Sequence, residues 1–384
     1  MTKVLLFVDR LRHGGIQQLI IEILKNNNKE DVQFDVLVFD DGECYPLEEE
    51  VKKLGANLYK INGWINSPLS YFKQKKVLDR FYKEHNDYKA VHLNSSSKNF
   101  LVLREAKKYG IPVRVAHSHN IGFQTKNKVK VLVGNVLKNA LIKNATEFFA
   151  CSENAGVWLF GKDVVKTDKF KVIHNAIDYD KFKFNEITRK EVRESLGVED
   201  SCLLFGNVGR FTNQKNHTFL IDVFYEIYRK NQNSKLVLIG IGEKEEEIKQ
   251  KVDKLNLEKN VLFLGYREDV NRLMQGMDAF IMPSLYEGFP VVCVEAQAVG
   301  ISCFLSKDSI TNEVKIADNV KYISLDEPAE EWANKILKCS LQRLDNEKKL
   351  KKCGFFIQDM VDELVSFYNN KWILSNNFDR KEKI

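Results

Sequence analysis

The sequence predicts an α/β protein of two doubly wound domains, each built on a parallel sheet. Three features point that way. The chain has 384 residues, which is long for one core and suits two domains of roughly 150–200 residues. Its short apolar runs are continuous rather than alternating, the mark of strands buried on both faces. Helical stretches separate those runs, which implies parallel βαβ units.

The runs fall into two sets. "KVLLFV", "FDVLVF", "KAVHLN", "VRVAH" and "EFFAC" are strand candidates in the first half. "CLLFGNVG", "KLVLIG", "VLFLG", "AFIMP" and "SCFLS" repeat the pattern in the second. The boundary is expected near "KVIHNAIDYDKFKF", where strand-like "KVI" enters a polar, turn-rich segment before the helical "TRKEVRESLGV". The domains are accordingly set at 1–175 and 176–360, with 361–384 as a C-terminal helix returning to the first. Each half opens with a strand, a Gly-containing loop and a helix. In open α/β sheets ligands bind beyond the carboxyl ends of strands, where helix N-termini favour anions. Two such domains facing each other across a cleft would offer two anion-receptive walls.

Composition narrows the function classes. Apolar content is 44% and charged content 29%, as in globular chains. No apolar run reaches the ~18 residues of a membrane span. The N-terminal run stops at Asp9-Arg10, without the longer apolar stretch and cleavage site of a signal peptide. A cytoplasmic protein is expected. Seven cysteines form no C-x-x-C pair, and reduced, buried thiols suit that compartment. The net charge of +6 says only that anionic partners are tolerated.

The first loop, "DRLRHGGIQQ", places Gly14 and Gly15 before a helix starting near Ile16. Two glycines allow positive φ and close approach to a ligand; a plain tight turn reads equally well. The spacing is not G-x-G-x-x-G, so dinucleotide binding has little support. The second loop, "NVGRFTNQKNHTFLI", carries Gly209, Arg210 and Lys215 ahead of a helix near Asn216. A forked guanidinium and a mobile ammonium at a helix N-terminus could clamp a diphosphate, or the loop is simply basic and solvated.

"DAFIMPSLYEGFPVVCVEAQAVG" reads as strand, turn and helix. Pro290 suits the first helical position, and the helix is expected from Pro290 to about Val299. The Val-Val-Cys-Val run would favour a strand on propensity alone, so the helix rests on the βαβ rhythm. Glu287 then lies at the strand's carboxyl end and Glu295 more than one turn into the helix. Carboxylates accept hydrogen bonds from diols. The pair could hold a sugar and a ribose, or Glu295 could be a solvated helix acid. His117 and His119 end the strand "VRVAH"; a zinc pair is conceivable, but no third ligand is evident nearby. Asp178 and Asp180 form a D-x-D in the linker, read as a capping segment and not as a metal site.

Together these pieces resemble the retaining GT-B glycosyltransferases of glycosyltransferase family 4, and the resemblance covers nearly the whole chain. E-x7-E stands as "EGFPVVCVE", "GR-x4-K" as Gly209, Arg210 and Lys215, and the Gly-Gly loop and "VIHNAID" follow in order. "EAQAVGISCFLSKDSITNEV" and "AHSHN" look most like the bacterial capsule and exopolysaccharide subgroup. The resemblance implies the GT-B fold of two Rossmann-like domains, a UDP-sugar donor, and a sugar or lipid-linked acceptor. It gives Glu287 the donor sugar, Glu295 the ribose, and Arg210 with Lys215 the diphosphate. The backbones of Gly15, Gly288, Phe289 and Pro290 would approach phosphate or sugar, Tyr266-Arg267 would lie near the base, and His119, or His117, would meet O6. No metal, cofactor or nucleic acid is expected. Ala176, His174 and Ile16-Gln17-Gln18 depart from the family's usual glycine, proline and acid, which blurs sugar and acceptor specificity.

Two other readings compete. A non-catalytic partner subunit is disfavoured by the intact Arg210, Lys215, Glu287 and Glu295. A GT-B-fold sugar-nucleotide epimerase would need further acid/base residues, for which only the two histidines are candidates.

A last pattern concerns place. "QTKNKVKVLVGNVLKNALIKNAT" carries Lys126, Lys128, Lys130, Lys138 and Lys143 and no acid. Val129, Leu132, Val133, Val136, Leu137, Ala140 and Leu141 form one helical stripe. The stripe is expected to face the core, leaving a basic back. Lys73, Lys75, Lys76, Arg80 and Lys83 add charge elsewhere in the same domain. Salt-sensitive docking on an anionic membrane is expected from these basic faces.

Overall fold

The structure, a computed structural model, describes residues 1–12, 14–64, 70–123, 127–307 and 309–381. The chain divides into two compact units, Met1–Ala176 with Ile357–Ile384, and Ile177–Phe356.

The first unit runs β1 (Thr2–Phe7), α1 (Gly15–Asn26), β2 (Val32–Phe39), α2 (Pro46–Lys53), β3 (Leu58–Ile61) and α3 (Ser70–Glu84). It continues with β4 (Ala90–Leu93), α4 (Phe100–Lys108), β5 (Val113–Ser118), α5 (Lys128–Asn144), β6 (Glu147–Ala150), α6 (Glu153–Phe160) and β7 (Phe170–Val172). Its seven strands are all parallel, in the order β3-β2-β1-β4-β5-β6-β7.

The second unit runs α7 (Tyr179–Phe182), α8 (Glu186–Ser195), β8 (Leu203–Val208), α9 (His217–Lys230), β9 (Ser234–Ile239), α10 (Glu245–Lys254) and β10 (Val261–Phe263). Then come α11 (Val270–Gly276), β11 (Ala279–Met282), α12 (Val291–Ala298), β12 (Ser302–Ser306), β13 (Val320–Ile323), α13 (Ala329–Lys338) and α14 (Glu347–Lys352). Its parallel sheet has the order β10-β9-β8-β11-β12-β13. The last helix, α15 (Ile357–Lys381), packs on α1, β1 and β2 of the first unit.

Burial explains the continuous apolar runs. Successive residues of a strand point to opposite faces. In β1, Val4 and Leu6 enter a core with α1, α2 and α15, while Leu5 and Phe7 enter another with α3, α4 and α6. All four are fully buried. The two strands absent from the sequence reading, β3 and β13, are sheet edges. Their "LYKI" and "VKYI" carry a lysine because an edge strand can keep one side chain in water.

The Val-Val-Cys-Val segment is helical. A parallel crossover from β11 to β12 requires such a connection, and Cys293, Val294, Ala296, Gln297 and Ala298 of α12 are buried. Pro290 is its N-cap rather than its first helical residue.

Three expectations need correction. The stripe on α5 does not face the core as a whole. Leu141 is buried, but Val129, Leu132, Val133 and Val136 are exposed. Gly14 and Gly15 do not use positive φ: Gly14 is extended at φ 176°, a conformation open to any residue. The cysteines are all free, with Cys151, Cys202, Cys293 and Cys303 buried, but Cys44 and Cys353 are exposed.

Candidate functional site

In the second unit the carboxyl end of the sheet gathers three loops. The loop after β8 carries Gly209 and Arg210, then a single turn at Asn213–Lys215 that leads into α9. Asn216, the N-cap of α9, sits in the left-handed region at φ 54°, which asparagine tolerates. The loop after β9 lies directly on the loop after β8. A Cβ on Gly240 would come within 2.1 Å of the Gly209 carbonyl, and one on Gly242 within 2.4 Å of that of Phe211. Only glycine permits that approach, and at Gly240 a φ of 144° adds to the requirement. The sequence reading passed over this Gly-Ile-Gly, although a G-x-G at a strand end is its visible signal.

The loop after β11 is stapled to the turn at 213–215. The Leu285 amide donates to the Gln214 carbonyl at 2.8 Å, and Asn216 Nδ2 donates to the Pro283 carbonyl at 3.1 Å. Gln214 Nε2 donates to the Tyr286 carbonyl at 2.9 Å and to Glu287 Oε2 at 3.3 Å. Lys215 Nζ meets Glu287 Oε1 at 2.8 Å. Glu287 is only 6% exposed. Its two oxygens are thus held separately, one by an ammonium and one by an amide. Gln214 was not foreseen, because an amide inside a polar loop has no pattern of its own.

Arg210 differs from Lys215. Its side chain is exposed and makes no ion pair among the described residues. Gly209 lies against the Lys215 side chain, where a Cβ would come within 3.1 Å of Cε. His217, the first residue of α9, is buried and bonded through Nε2 to Asn207 Oδ1 at 3.0 Å. Burial, then the charge of Lys215, lowers its pKa to about 4.

Glu295 retains some solvent contact, but dense packing pushes its carboxyl up to about 7. No hydrogen bond or ion pair engages that carboxylate among the described residues. Cys293, two residues nearer the start of α12, is buried and close enough to Lys215, Glu287 and Glu295 to feel their charges. Its thiol is pushed well above the usual range by burial first, then by Cys303; Lys215 opposes the rise, and Glu287 and Glu295 add to it. Lys215 and Glu287 are in direct contact, and Glu295 acts on the same thiol from α12. Phe289 is buried and stacks on Phe355 at 5.6 Å, which anchors the turn containing Gly288 and Pro290. Tyr266 is 47% exposed, and Arg267 donates from Nε and Nη2 to the two carboxylate oxygens of Asp269 at 2.7 and 2.6 Å.

In the first unit, Gly14 caps α1 and Gly15 begins it. A Cβ on Gly15 would meet nothing within 4 Å. His117 and His119 are joined by a third histidine that the sequence reading missed. His92 of β4 lies opposite Val115 in β5, so it shares a sheet face with His117. Its Nε2 meets His117 Nδ1 at 2.9 Å, and its Nδ1 bonds the Tyr368 hydroxyl of α15 at 2.7 Å. His119 Nε2 bonds Asn94 Oδ1 at 3.0 Å. Because Asn94 Nδ2 donates to the His92 carbonyl, its oxygen faces His119, which must then donate from Nε2. Nδ1 of His119 is left as a buried acceptor with no bond of ordinary geometry. Burial lowers the pKa of His92 to about 3 and that of His119 to about 4, the latter offset slightly by the nearby Asn175 side chain. The cluster is neutral, and among the described residues no three His, Cys, Asp or Glu side chains are placed to hold one metal ion. Asp178 occupies the N-cap position of α7 and pairs with Lys181 at 2.8 Å, without a side-chain cap bond.

Comparison with known proteins bears on the family and the fold. The family model Glycosyltransferase Family 4 matches residues 13–181, and Glycosyl transferases group 1 matches residues 188–373. EpsF of Bacillus subtilis (strain 168), named as a glycosyltransferase, is 33% identical over 377 residues, 96% of each chain. An Escherichia coli protein named UDP-Gal:alpha-D-GlcNAc-diphosphoundecaprenol alpha-1,3-galactosyltransferase is 32% identical over 246 residues, 62% of this chain and 63% of its own. Among solved structures, HepE of Anabaena in complex with UDP and glucose superposes with a TM-score of 0.73 at 21% identity. That match covers 98% of this chain and 100% of HepE, and it is a likeness of fold.

Proposed function

The chain belongs to glycosyltransferase family 4, and from that membership we propose a retaining, metal-independent transferase acting in the cytoplasm. It moves a hexose or N-acetylhexosamine from a UDP-sugar to a saccharide acceptor, lipid-linked as in the name of the Escherichia coli relative. The product belongs to capsule, exopolysaccharide or another cell-surface glycan. The observation that carries this reading is the Lys215–Glu287 pair, with Gln214 on the second carboxylate oxygen and the free Arg210 on the same loop.

The roles follow from charge. Arg210 and Lys215 hold the diphosphate and neutralise it as the glycosidic bond breaks, which is electrostatic stabilisation of developing charge. When Lys215 turns to phosphate, Glu287 is released to accept hydrogen bonds from the donor sugar. Glu295 accepts from the ribose diol. In the first unit, Nδ1 of His119 is an acceptor suited to a sugar hydroxyl. The donor's own phosphate takes the acceptor proton. Transfer assays with UDP-hexoses and lipid-linked saccharides test the reading, with product configuration read by NMR; an inverted anomeric centre would overturn retention.

Transfer is expected to persist in EDTA, because two side-chain cations supply the charge a metal would bring. A rate lost to chelator and restored by Mg²⁺ or Mn²⁺ would refute this.

UDP affinity is expected to rise with pH across the Glu295 titration. Its pKa is raised, so the neutral acid prevails below about pH 7 and the diol-binding carboxylate above it. At pH 6 only about a tenth is ionised. Glu295→Gln should weaken UDP by about one to two decades at pH 8 and flatten this part of the profile. What remains in the variant is the nucleotide's own ionisation. A profile identical in both proteins would remove Glu295 from the ribose.

A further inference from the structure

Helix α5 carries the most exposed apolar surface of the first unit. Val129 is 70% exposed, Leu132 66%, Val133 47% and Val136 63%. At 100° per residue these positions fall within one narrow arc of the helix. Lys128 and Lys130 stand on either side of that arc. The opposite side seats the helix. Gly134 admits the Phe123 ring, which a Cβ would meet at 2.4 Å, and Leu141 is fully buried. Lys138 donates to the Trp158 carbonyl at 2.6 Å and lies over the Phe123 and Trp158 rings at 5.0 and 4.3 Å. The fold thus anchors α5 through a glycine, one leucine and a half-buried lysine, and turns its aliphatic ridge outward.

We propose that α5 is an interfacial helix that docks the first unit on an anionic lipid surface, with the ridge Val129, Leu132, Val133 and Val136 inserted and the lysines on headgroups. The charge pattern selects this occupant. The helix has Lys128, Lys130, Lys138 and Lys143 and no acid. A second copy across a two-fold axis would set those lysines against their own equivalents. A protein partner's hot spot would favour Trp, Tyr or Arg anchors, and the ridge has none. A bilayer interface accepts an aliphatic ridge about 10 Å long flanked by lysines. Helices α3 and α5 both contact α4. On α3, Phe72 is 75% exposed and Lys73, Lys75 and Lys76 are exposed as well. Among the described residues no helix is long and apolar enough to cross a membrane. Lys126 lies outside the described residues and has no part in the proposal.

An exposed ridge changes the salt dependence expected of basic faces alone. Lysine attraction is screened as the Debye length falls from about 10 Å at 0.1 M salt to about 3 Å at 1 M; insertion of the ridge is not. The whole protein should therefore co-sediment with phosphatidylcholine vesicles containing phosphatidylglycerol, and part of that binding should survive high salt. Leu132→Gln with Val136→Gln should lower binding by about tenfold or more and remove the salt-resistant part. Lys128→Glu with Lys130→Glu should weaken only the salt-sensitive part. Leu132→Trp should show an emission blue-shift on adding the anionic vesicles, a readout that needs no loss of binding. Three results would overturn the proposal: no binding to anionic vesicles, no blue-shift, or binding indifferent to the ridge substitutions. A dimer in light scattering that Leu132→Gln with Val136→Gln dissolves would assign the ridge to a second copy instead. Since no arm measures transfer, failure here leaves the catalytic reading standing, and the reverse also holds.

Discussion

Glu287→Ala removes transfer while UDP still binds, as well as or better than in the unaltered protein. The expectation rests on what Glu287 touches. Its carboxylate holds Lys215 at 2.8 Å and accepts from Gln214 at 3.3 Å. If its substrate partner is the donor sugar, free UDP has nothing to lose. Lys215, no longer paired, is released toward the diphosphate. Loss of a preorganised group of this kind costs about 10²–10³ in rate. Removing one member of a largely buried pair also leaves a charge uncompensated, so Glu287→Gln, which keeps shape and one acceptor, is the companion variant. Calorimetry with UDP beside a transfer assay decides the matter. UDP affinity falling as far as the rate would place Glu287 on the nucleotide and not on the sugar.

The residues that could be read from sequence share a property: their pattern is local. Val4 to Phe7 read as a strand because both faces of β1 are covered. The edge strands β3 and β13 did not, since one unpaired side admits Lys60 and Lys321. Glu287 and Glu295 stand out in the sequence through a spacing that a strand, a turn and a helix impose. His92 was not found, because its link to His117 is set by the register of β4 against β5, across a sequence separation of 25. Gln214 is likewise significant only once two loops from different crossovers meet. The α5 stripe shows the opposite failure. Its periodicity was legible, but a period names a face and not a direction. The direction was fixed by Gly134, Lys138 and Leu141, which dock the helix from the other side.

Lys215→Ala is expected to weaken UDP by about one to two decades, the cost of a lost charge-assisted bond, and to reduce transfer further still. The leaving diphosphate carries more charge than the bound one, so Lys215 matters more at the transition state than in binding. The same substitution strands Glu287, 6% exposed, with only Gln214 for a partner. An uncompensated buried charge is destabilising, whereas removing both partners is not. Adding Glu287→Ala to Lys215→Ala should therefore raise the melting temperature above that of the single variant, although activity stays lost. The two stability effects should fail to add by about 0.5–3 kcal/mol, as expected of groups in direct contact. Thermal melts of the four proteins in this cycle, paired with UDP calorimetry, separate the two roles of the lysine. Strictly additive melting data would mean that the Lys215–Glu287 contact contributes nothing to the resting fold. Unchanged UDP affinity in Lys215→Ala would leave the diphosphate to Arg210 and the backbone at the start of α9.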